Sequence, residues 1–271
     1  MRNRLRGYGD RSDGETEPQK SGTLVAQRLD RHVVILAVQA STSVTTSGKG
    51  PDRVLALGRG LALVGGTALL LGHVFNHLAL DDRIGELQAS AEHNVWSWAA
   101  TMATLAAGLA ALLHSRSSSA PRESVALGAL LVFFSLDDFL EIHENAGLDV
   151  SESLGLPDYV GPRLWVFLYL PLAAAGLVLL WRVAAELGGR PRSSILLGVA
   201  LFGSGYVLEA AGIVTKRIEE SGYELPHLIR AGLEESVELA GWILVAAGLS
   251  AGMLAAASRR AHGAQERGSR P

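Results

Sequence analysis

Six apolar stretches, each close to the length that crosses a bilayer, constrain this chain more than any other feature of its sequence. A hydrocarbon core about 30 Å thick requires about 20 apolar residues of helix. Because short connections leave no room for a sizeable soluble domain between the stretches, we predict an all-α, polytopic membrane bundle. The predicted transmembrane helices occupy residues 54–77, 95–113, 124–143, 164–185, 194–214 and 228–257.

Outside this predicted transmembrane domain of residues 54–257, the chain is polar. Residues 1–50 lack the periodicity of a packed element, and we predict that they form a disordered cytoplasmic tail. Residues 258–271 form a second predicted cytoplasmic tail. The net charge of −3 argues against a nucleic-acid partner. The absence of Cys excludes disulfides, thiolate metal sites and cysteine nucleophiles.

The distribution of basic residues predicts the orientation, since cytoplasmic loops of membrane proteins are enriched in Lys and Arg. With both termini in the cytoplasm, the cytoplasmic side has Lys49, Arg53, Arg116, Arg122, Arg182, Arg190, Arg192, Arg259, Arg260, Arg267 and Arg270. The opposite side has only Arg83, Arg163, Lys216, Arg217 and Arg230. The preference for Arg over Lys hints at a GC-rich bacterial genome, so the predicted location is the bacterial plasma (inner) membrane.

Most of the unusual ionisable residues fall at the outward ends of the predicted helices. The stretch 135–144 reads Ser-Leu-Asp-Asp-Phe-Leu-Glu-Ile-His-Glu, which we interpret as the far end of the third helix. At 100° per residue, Asp137, Glu141 and Glu144 would share one face, with Asp138 and His143 beside it. Such a cluster is costly in a membrane unless cations, protons or water meet it.

Other predicted helices bring further acids and histidines to the same end. We therefore expect the first, third, fifth and sixth helices to meet around a divalent metal, because carboxylates with a few imidazoles suit iron, manganese or zinc. In this hypothesis a spare acid, Glu141 or Glu238, is the general base. The candidate metal ligands are Asp138, Glu141, His143, Glu209, Glu238, His73, His77 and His227.

One short resemblance supports the membrane assignment. Uncharacterised bacterial multi-pass membrane proteins contain a helix that reads approximately Ser-Leu-Asp-Glu, four residues, then His-Glu. Residues 135–144 resemble it at Ser135, Leu136, Asp137, His143 and Glu144, with Asp138 in place of the Glu. The resemblance implies a membrane protein and supplies no activity.

Three classes of function remain open from the sequence. The first is a metal-dependent membrane enzyme, a hydrolase or oxidoreductase, with an outward-facing site and a lipid or small-molecule substrate. The second is a cation- or proton-coupled transporter in which the same acids titrate. The third is a structural membrane subunit whose acids pair with basic residues of a partner. Because the inner halves of the predicted helices are nearly apolar, a site that opens to one face of the membrane is favoured over a continuous transport path.

Overall fold

The structure, a computed structural model, describes residues 49–89, 94–155, 161–220 and 225–268. These residues form seven α-helices and one 3-10 turn without a strand, which confirms the all-α prediction. The predicted tail 1–50 lies almost entirely outside the described residues. The helices are α1 (Gly50–Leu80), α2 (Val95–His114), α3 (Pro121–Leu140), α4 (Ile142–Ser153), α5 (Gly161–Leu187), α6 (Gly189–Glu220) and α7 (Leu225–Gly268).

Five helical segments in the described part of the chain are long and apolar enough to cross a membrane. They are Gly50–Leu80, Val95–His114, Phe167–Leu187, Gly189–Leu208 and Leu228–His262, which match five of the six predicted spans. The remaining helix, α3, has 20 residues, the same length as α2. It is less apolar because it contains Arg122, Glu123, Asp137 and Asp138. A sixth crossing by α3 therefore stays a prediction.

The prediction of one continuous helix over residues 124–143 is wrong at its end. Helix α3 stops at Leu140, and Glu141 adopts the left-handed conformation with φ 53° and ψ 33°. A separate helix of 12 residues, α4, starts at Ile142. The predicted shared face of Asp137, Glu141 and Glu144 is therefore wrong as well, because the helical periodicity does not continue past Leu140.

Helix α7 is the centre of the bundle. It packs against α1, α2 and α6, while α2 also packs on α3, and α5 packs on α3 and α4. Small residues permit these close contacts, as expected where helices associate within lipid. A Cβ atom on Gly198 of α6 would lie only 2.6 Å from the carbonyl oxygen of Gly241 of α7.

The apolar core lies where five of the helices converge. Fully buried side chains from α2, α3, α5, α6 and α7 meet there, and most are small or aliphatic. The five helices contribute, among others, Ala107, Ala111, Leu127, Leu131, Val183, Ala184, Ile195 and Leu249.

The end of the bundle where α2, α5 and α7 finish is fastened by arginine ion pairs, and we call it the arginine end. Arg182 pairs with Glu123 at 2.8 Å and Arg190 pairs with Asp52 at 3.0 Å. The carboxylate of Glu186 accepts a hydrogen bond of 2.6 Å from the hydroxyl of Ser118. At the arginine end, each of these acids pairs with an arginine or accepts a hydrogen bond from a group at a helix end. Their negative charges are therefore accounted for by local partners.

Candidate active site at the break between two helices

The opposite end of the bundle, where α1 and α3 finish, is the acidic end. The break at Glu141 shapes it: the Glu141 amide donates to the Asp137 carbonyl and closes α3. The Glu141 carbonyl then accepts from the backbone amide of Asn145 at 3.1 Å and from its side-chain amide at 2.8 Å. Because the chain turns at this residue, the first turn of α4 comes back toward the last turn of α3.

This turn brings His143 against Asp137. Their separation of six residues would place them about 120° apart on a continuous helix. In the structure, Nδ1 of His143 lies 2.8 Å from Oδ2 of Asp137. Both side chains are largely buried, with 15% of the His143 side chain and 6% of the Asp137 side chain exposed. The pair is therefore a product of the broken helix.

Tyr169 of α5 completes the arrangement, which we call the Asp–His–Tyr network (Asp137, His143, Tyr169). The Tyr169 hydroxyl donates to Oδ1 of Asp137 at 2.7 Å. The rings of His143 and Tyr169 meet edge to face at 5.8 Å. On its other side, Tyr169 stacks on Phe133 at 6.4 Å with an interplanar angle of 19°. Helices α3, α4 and α5 thus each contribute one polar group.

The hydrogen bonds of the network fit an ionised Asp137, because an ionised carboxylate only accepts and each of its two oxygens has a donor group beside it. Nδ1 of His143 then carries the hydrogen that it donates to Asp137. In the neutral ring this leaves the lone pair on Nε2.

Asp138 faces the neighbouring helix instead. One of its carboxylate oxygens accepts a hydrogen bond from the hydroxyl of Thr101 of α2. One turn earlier on α3, Ser135 donates to the carbonyl of Thr101 at 3.0 Å. Asp138 is exposed, whereas Asp137 and Ser135 are buried. These bonds fasten the end of α3 to α2.

His73 of α1 is a buried link between main-chain segments, with 1% of its surface exposed. The amide of Ala89 donates to Nδ1 at 3.3 Å, and Nε2 lies 3.3 Å from the carbonyl of Leu228 on α7. Nδ1 also lies 3.2 Å from the carbonyl oxygen of Leu87. The indole of Trp96 meets the ring edge to face at 6.0 Å. His73 therefore joins α1 to α7 and to the following loop.

His77, one turn further along α1, binds locally. Its Nδ1 lies 2.9 Å from Oδ2 of Asp82. Asp81 and Asp82, which end the helix, both have positive φ values of 51° and 53°. This contact closes the C-terminal end of α1 and does not reach the Asp–His–Tyr network.

Two acids of α7, Glu234 and Glu238, lie at its contact with α6. The carboxylate of Glu238 covers Gly205, where a Cβ atom would meet Oε1 at 2.7 Å. Arg230 pairs with Glu234 on the same helix, and its guanidinium also donates to the carbonyl of Leu208 at 3.3 Å. The structure gives no contact between these acids and the Asp–His–Tyr network for the described residues, and α2 packs on both α3 and α7.

The predicted metal site is only partly assembled in the described residues. Asp138 and His143 lie at the same helix break as Glu141, whereas His73, His77 and Glu238 have the separate surroundings given above. The side chains of Glu209 and His227 lie outside the described part of the structure. No group of three or more His, Asp or Glu side chains that could hold a metal ion occurs among the described residues. Metal binding therefore stays a prediction.

The structure also assigns polar contacts to two residues that pattern reasoning does not select. Tyr169 has the spacing of an interfacial aromatic anchor, and Thr101 lies in an apolar run of α2. A tyrosine one turn inside a predicted span and a threonine opposite a predicted acid are weak signals. Only the helix pairing distinguishes them from ordinary membrane residues.

Apolar helices packed around α7, with an Asp–His–Tyr network at a break in one of them, define an all-α protein with five helices able to span a bilayer. The family model "Domain of unknown function (DUF8692)" matches residues 61–252, and the chain belongs to this family. The match includes the whole of α2 to α6 and therefore the complete network. No curated protein and no solved structure matches the chain.

Proposed function

We propose that this protein is a multi-pass enzyme of the bacterial plasma membrane whose reaction centre is the Asp–His–Tyr network. The acidic end faces away from the cytoplasm in this proposal. The observation that carries it is the 2.8 Å contact between His143 and Asp137 across the helix break. A carboxylate that holds one nitrogen of an imidazole prepares the other nitrogen for proton transfer.

Each residue of the network has a distinct role. His143 accepts a proton through Nε2 from a substrate hydroxyl or from water, which turns that oxygen into a nucleophile. Asp137 keeps the ring in the required tautomer and stabilises the imidazolium that forms. Tyr169 holds the second oxygen of Asp137 and thereby fixes the carboxylate in place.

Glu141 is the second candidate base, as the sequence suggests. A non-glycine residue with positive φ costs free energy, and such residues concentrate at functional sites. It lies at the break, four residues after Asp137 and two residues before His143. The proposal assigns no step to Glu238, because that residue lies at the contact between α6 and α7.

A metal-dependent form of the same enzyme is the second candidate. A histidine that binds a metal ion usually donates its other ring N–H to a carboxylate, as His143 does to Asp137. Nε2 of His143 would then be a ligand of iron, manganese or zinc in a hydrolase or oxidoreductase. Elemental analysis of purified protein separates the two forms, since near-stoichiometric metal that His143→Gln removes would support this one.

Transport has less support from the described side chains. Polar groups concentrate at the two ends of the bundle, and the middle is packed with residues such as Ala107, Leu127 and Leu131. A path for a cation or proton requires polar groups through that middle. A purely structural subunit would need no oriented imidazole.

The test of the enzyme proposal compares membranes that contain the protein with matched membranes that lack it. Lipids and small molecules are profiled by mass spectrometry after incubation with wild type, Asp137→Asn, His143→Gln and, as a control, the exposed His262→Gln. Wild type and the control should change the amount of at least one compound, whereas the two network variants should not. Identical profiles for wild type and His143→Gln would refute the proposal.

A further inference from the structure

Arg192, near the start of α6, is a positive charge without an acidic partner in the described part of the chain. Its neighbours at the arginine end, Arg182 and Arg190, each pair with an acid. The side chain of Arg192 makes no ion pair or hydrogen bond with a described residue. Of the described arginines that make no ion pair, it is the one that is partly buried, while the others are exposed. Its position is therefore set by the protein, but its charge is not neutralised by it.

Trp181 of α5 holds the guanidinium of Arg192 in place. The guanidinium carbon lies over the indole ring, 5.2 Å from the ring centroid. The turn between α5 and α6 brings the two side chains together, since Gly188 and Gly189 have positive φ values of 64° and 49°, which glycine adopts readily. The attraction of a cation to an aromatic face needs no oxygen acceptor. The N–H donors of Arg192, whose planar fork matches a phosphate group, therefore remain available.

Trp181 and Arg192 lie close to one end of the segments that can cross a bilayer. One such segment ends at Leu187 and the next starts at Gly189. Trp181 precedes the first of these ends by six residues and Arg192 follows the second by three, which is about 9 Å and about 5 Å of helix. Tryptophan is enriched at this level, where the apolar core of a bilayer meets the headgroups. The free donors of Arg192 are thus near the lipid phosphates.

Apolar side chains continue from Trp181 toward the middle of α5. Leu177 and Val178 precede Trp181 by four and three residues, so the three side chains lie within about 100° of one another on the helix. They are 50%, 54% and 55% exposed. A lipid whose acyl chain lies along this face has its headgroup next to Arg192.

The charge of the headgroup distinguishes the kinds of lipid that could bind. A zwitterionic phospholipid has an ammonium group that offsets the charge of its own phosphate, whereas an anionic phospholipid does not. A soluble anion would meet the guanidinium but would not use the apolar face of α5.

We propose that Arg192 and Trp181 form a binding site for an anionic phospholipid in the leaflet at the arginine end. The guanidinium of Arg192 donates to the phosphate, and the acyl chain contacts Trp181, Val178 and Leu177. The site lies at the opposite end of the bundle from the Asp–His–Tyr network. It does not depend on the proposed enzyme.

The test uses full-length protein in nanodiscs made mainly of phosphatidylcholine. A trace of phosphatidylglycerol or of phosphatidylcholine has a photoactivatable acyl chain, and labelled peptides are identified after irradiation. The glycerol probe should label the peptide that contains Leu177 and Val178 about threefold more than the choline probe, the size expected for one exposed ion pair. Arg192→Gln should remove this preference.

Arg190→Gln is the matched control. It removes the same charge two residues away, from a guanidinium that already pairs with Asp52. Because both variants change the net charge equally, a long-range attraction of anionic lipid would weaken equally in both. A specific site at Arg192 predicts that Arg190→Gln retains the preference.

A second measurement needs no substitution. In wild type, added unlabelled phosphatidylglycerol should reduce labelling by the glycerol probe, and the same amount of phosphatidylcholine should not. Replacing chloride by inorganic phosphate at equal ionic strength should leave the labelling unchanged.

Equal labelling by the two probes in wild type would overturn the inference, and so would an equal loss of preference in Arg192→Gln and Arg190→Gln. Displacement of the glycerol probe by inorganic phosphate would assign Arg192 to a soluble anion and would also reject the lipid site.

Discussion

His73 and His143 show how much the surroundings decide what a histidine does. Both are metal-ligand candidates by sequence, and both lie at the acidic end. Nε2 of His73 contacts the carbonyl of Leu228, a partner 155 residues away, while Nδ1 of His143 contacts a carboxylate six residues away. No spacing rule anticipates either partner, because one depends on how α1 packs on α7 and the other on a break in the chain.

The hydroxyl of Tyr169 should stabilise the folded protein through Asp137. Tyr169→Phe removes the donor to Oδ1 and leaves a buried carboxylate oxygen without it, which costs about 1–3 kcal/mol. Chemical unfolding in detergent measures this loss. Ser193→Ala, which removes an exposed hydroxyl, should change the unfolding free energy by no more than about 0.5 kcal/mol. Equal effects of the two substitutions would mean that the bond to Asp137 contributes nothing.

At the scale of elements, the helices were predictable and the break was not. Runs of apolar residues predicted six spans, and five of them are helices long and apolar enough to cross a membrane, because length and hydropathy are properties of the sequence alone. Neither Gly nor Pro, the residues that usually indicate a helix break in a sequence, stands at the break at Glu141. It depends on the contacts that Asp137, His143 and Tyr169 make once α3, α4 and α5 are packed, so continuous helix was the natural expectation.

Because Glu141 has the left-handed conformation, Gly should give a more stable protein than Ala at this position, which is the reverse of the order inside a helix. Both substitutions remove the same side chain, so their difference isolates the backbone. Glu141→Gly should be more stable than Glu141→Ala by about 1 kcal/mol, since positive φ penalises a Cβ atom. At the exposed helical position Leu136, Ala should instead be more stable than Gly by about 0.5–1 kcal/mol. Thermal unfolding of the four variants tests this, and the same order at both positions would contradict the break.

The contact between α6 and α7 predicts a contrast between two glycines of one helix. A Cβ atom at Gly198 would lie 2.6 Å from the Gly241 carbonyl oxygen, whereas one at Gly203 would meet nothing within 4 Å. Gly198→Ala should therefore destabilise the protein by about 1–3 kcal/mol. Gly203→Ala should be neutral or stabilising by up to about 1 kcal/mol. Unfolding curves that place both variants on the same side of wild type would reject the close crossing.

At the scale of the whole molecule, the two ends of the bundle differ in the groups that surround their acidic side chains. The arginine end pairs Arg182 with Glu123 and Arg190 with Asp52. The acidic end surrounds Asp137 and Asp138 with hydroxyl and imidazole groups. The sequence predicted this asymmetry from the positions of Arg, Asp and Glu along the apolar stretches. It could not predict that Asp138 meets Thr101 of α2 or that Glu238 lies against Gly205 of α6, since that depends on which helices are neighbours.

The last prediction concerns whether α3 crosses the membrane, which decides between five and six crossings. The natural chain has no Cys, so single cysteines can be labelled without background. Ser119→Cys precedes α3 at the arginine end, and Asp149→Cys lies on the exposed face of α4 at the acidic end. The excess of Arg at one end predicts that an impermeant maleimide added to intact cells labels position 149 and not position 119. Permeabilised cells, in which both positions should react, provide the control. Labelling of both positions in intact cells, or of neither, would show that α3 does not cross. Failure to label position 149 would show that the candidate active site does not face outward as proposed.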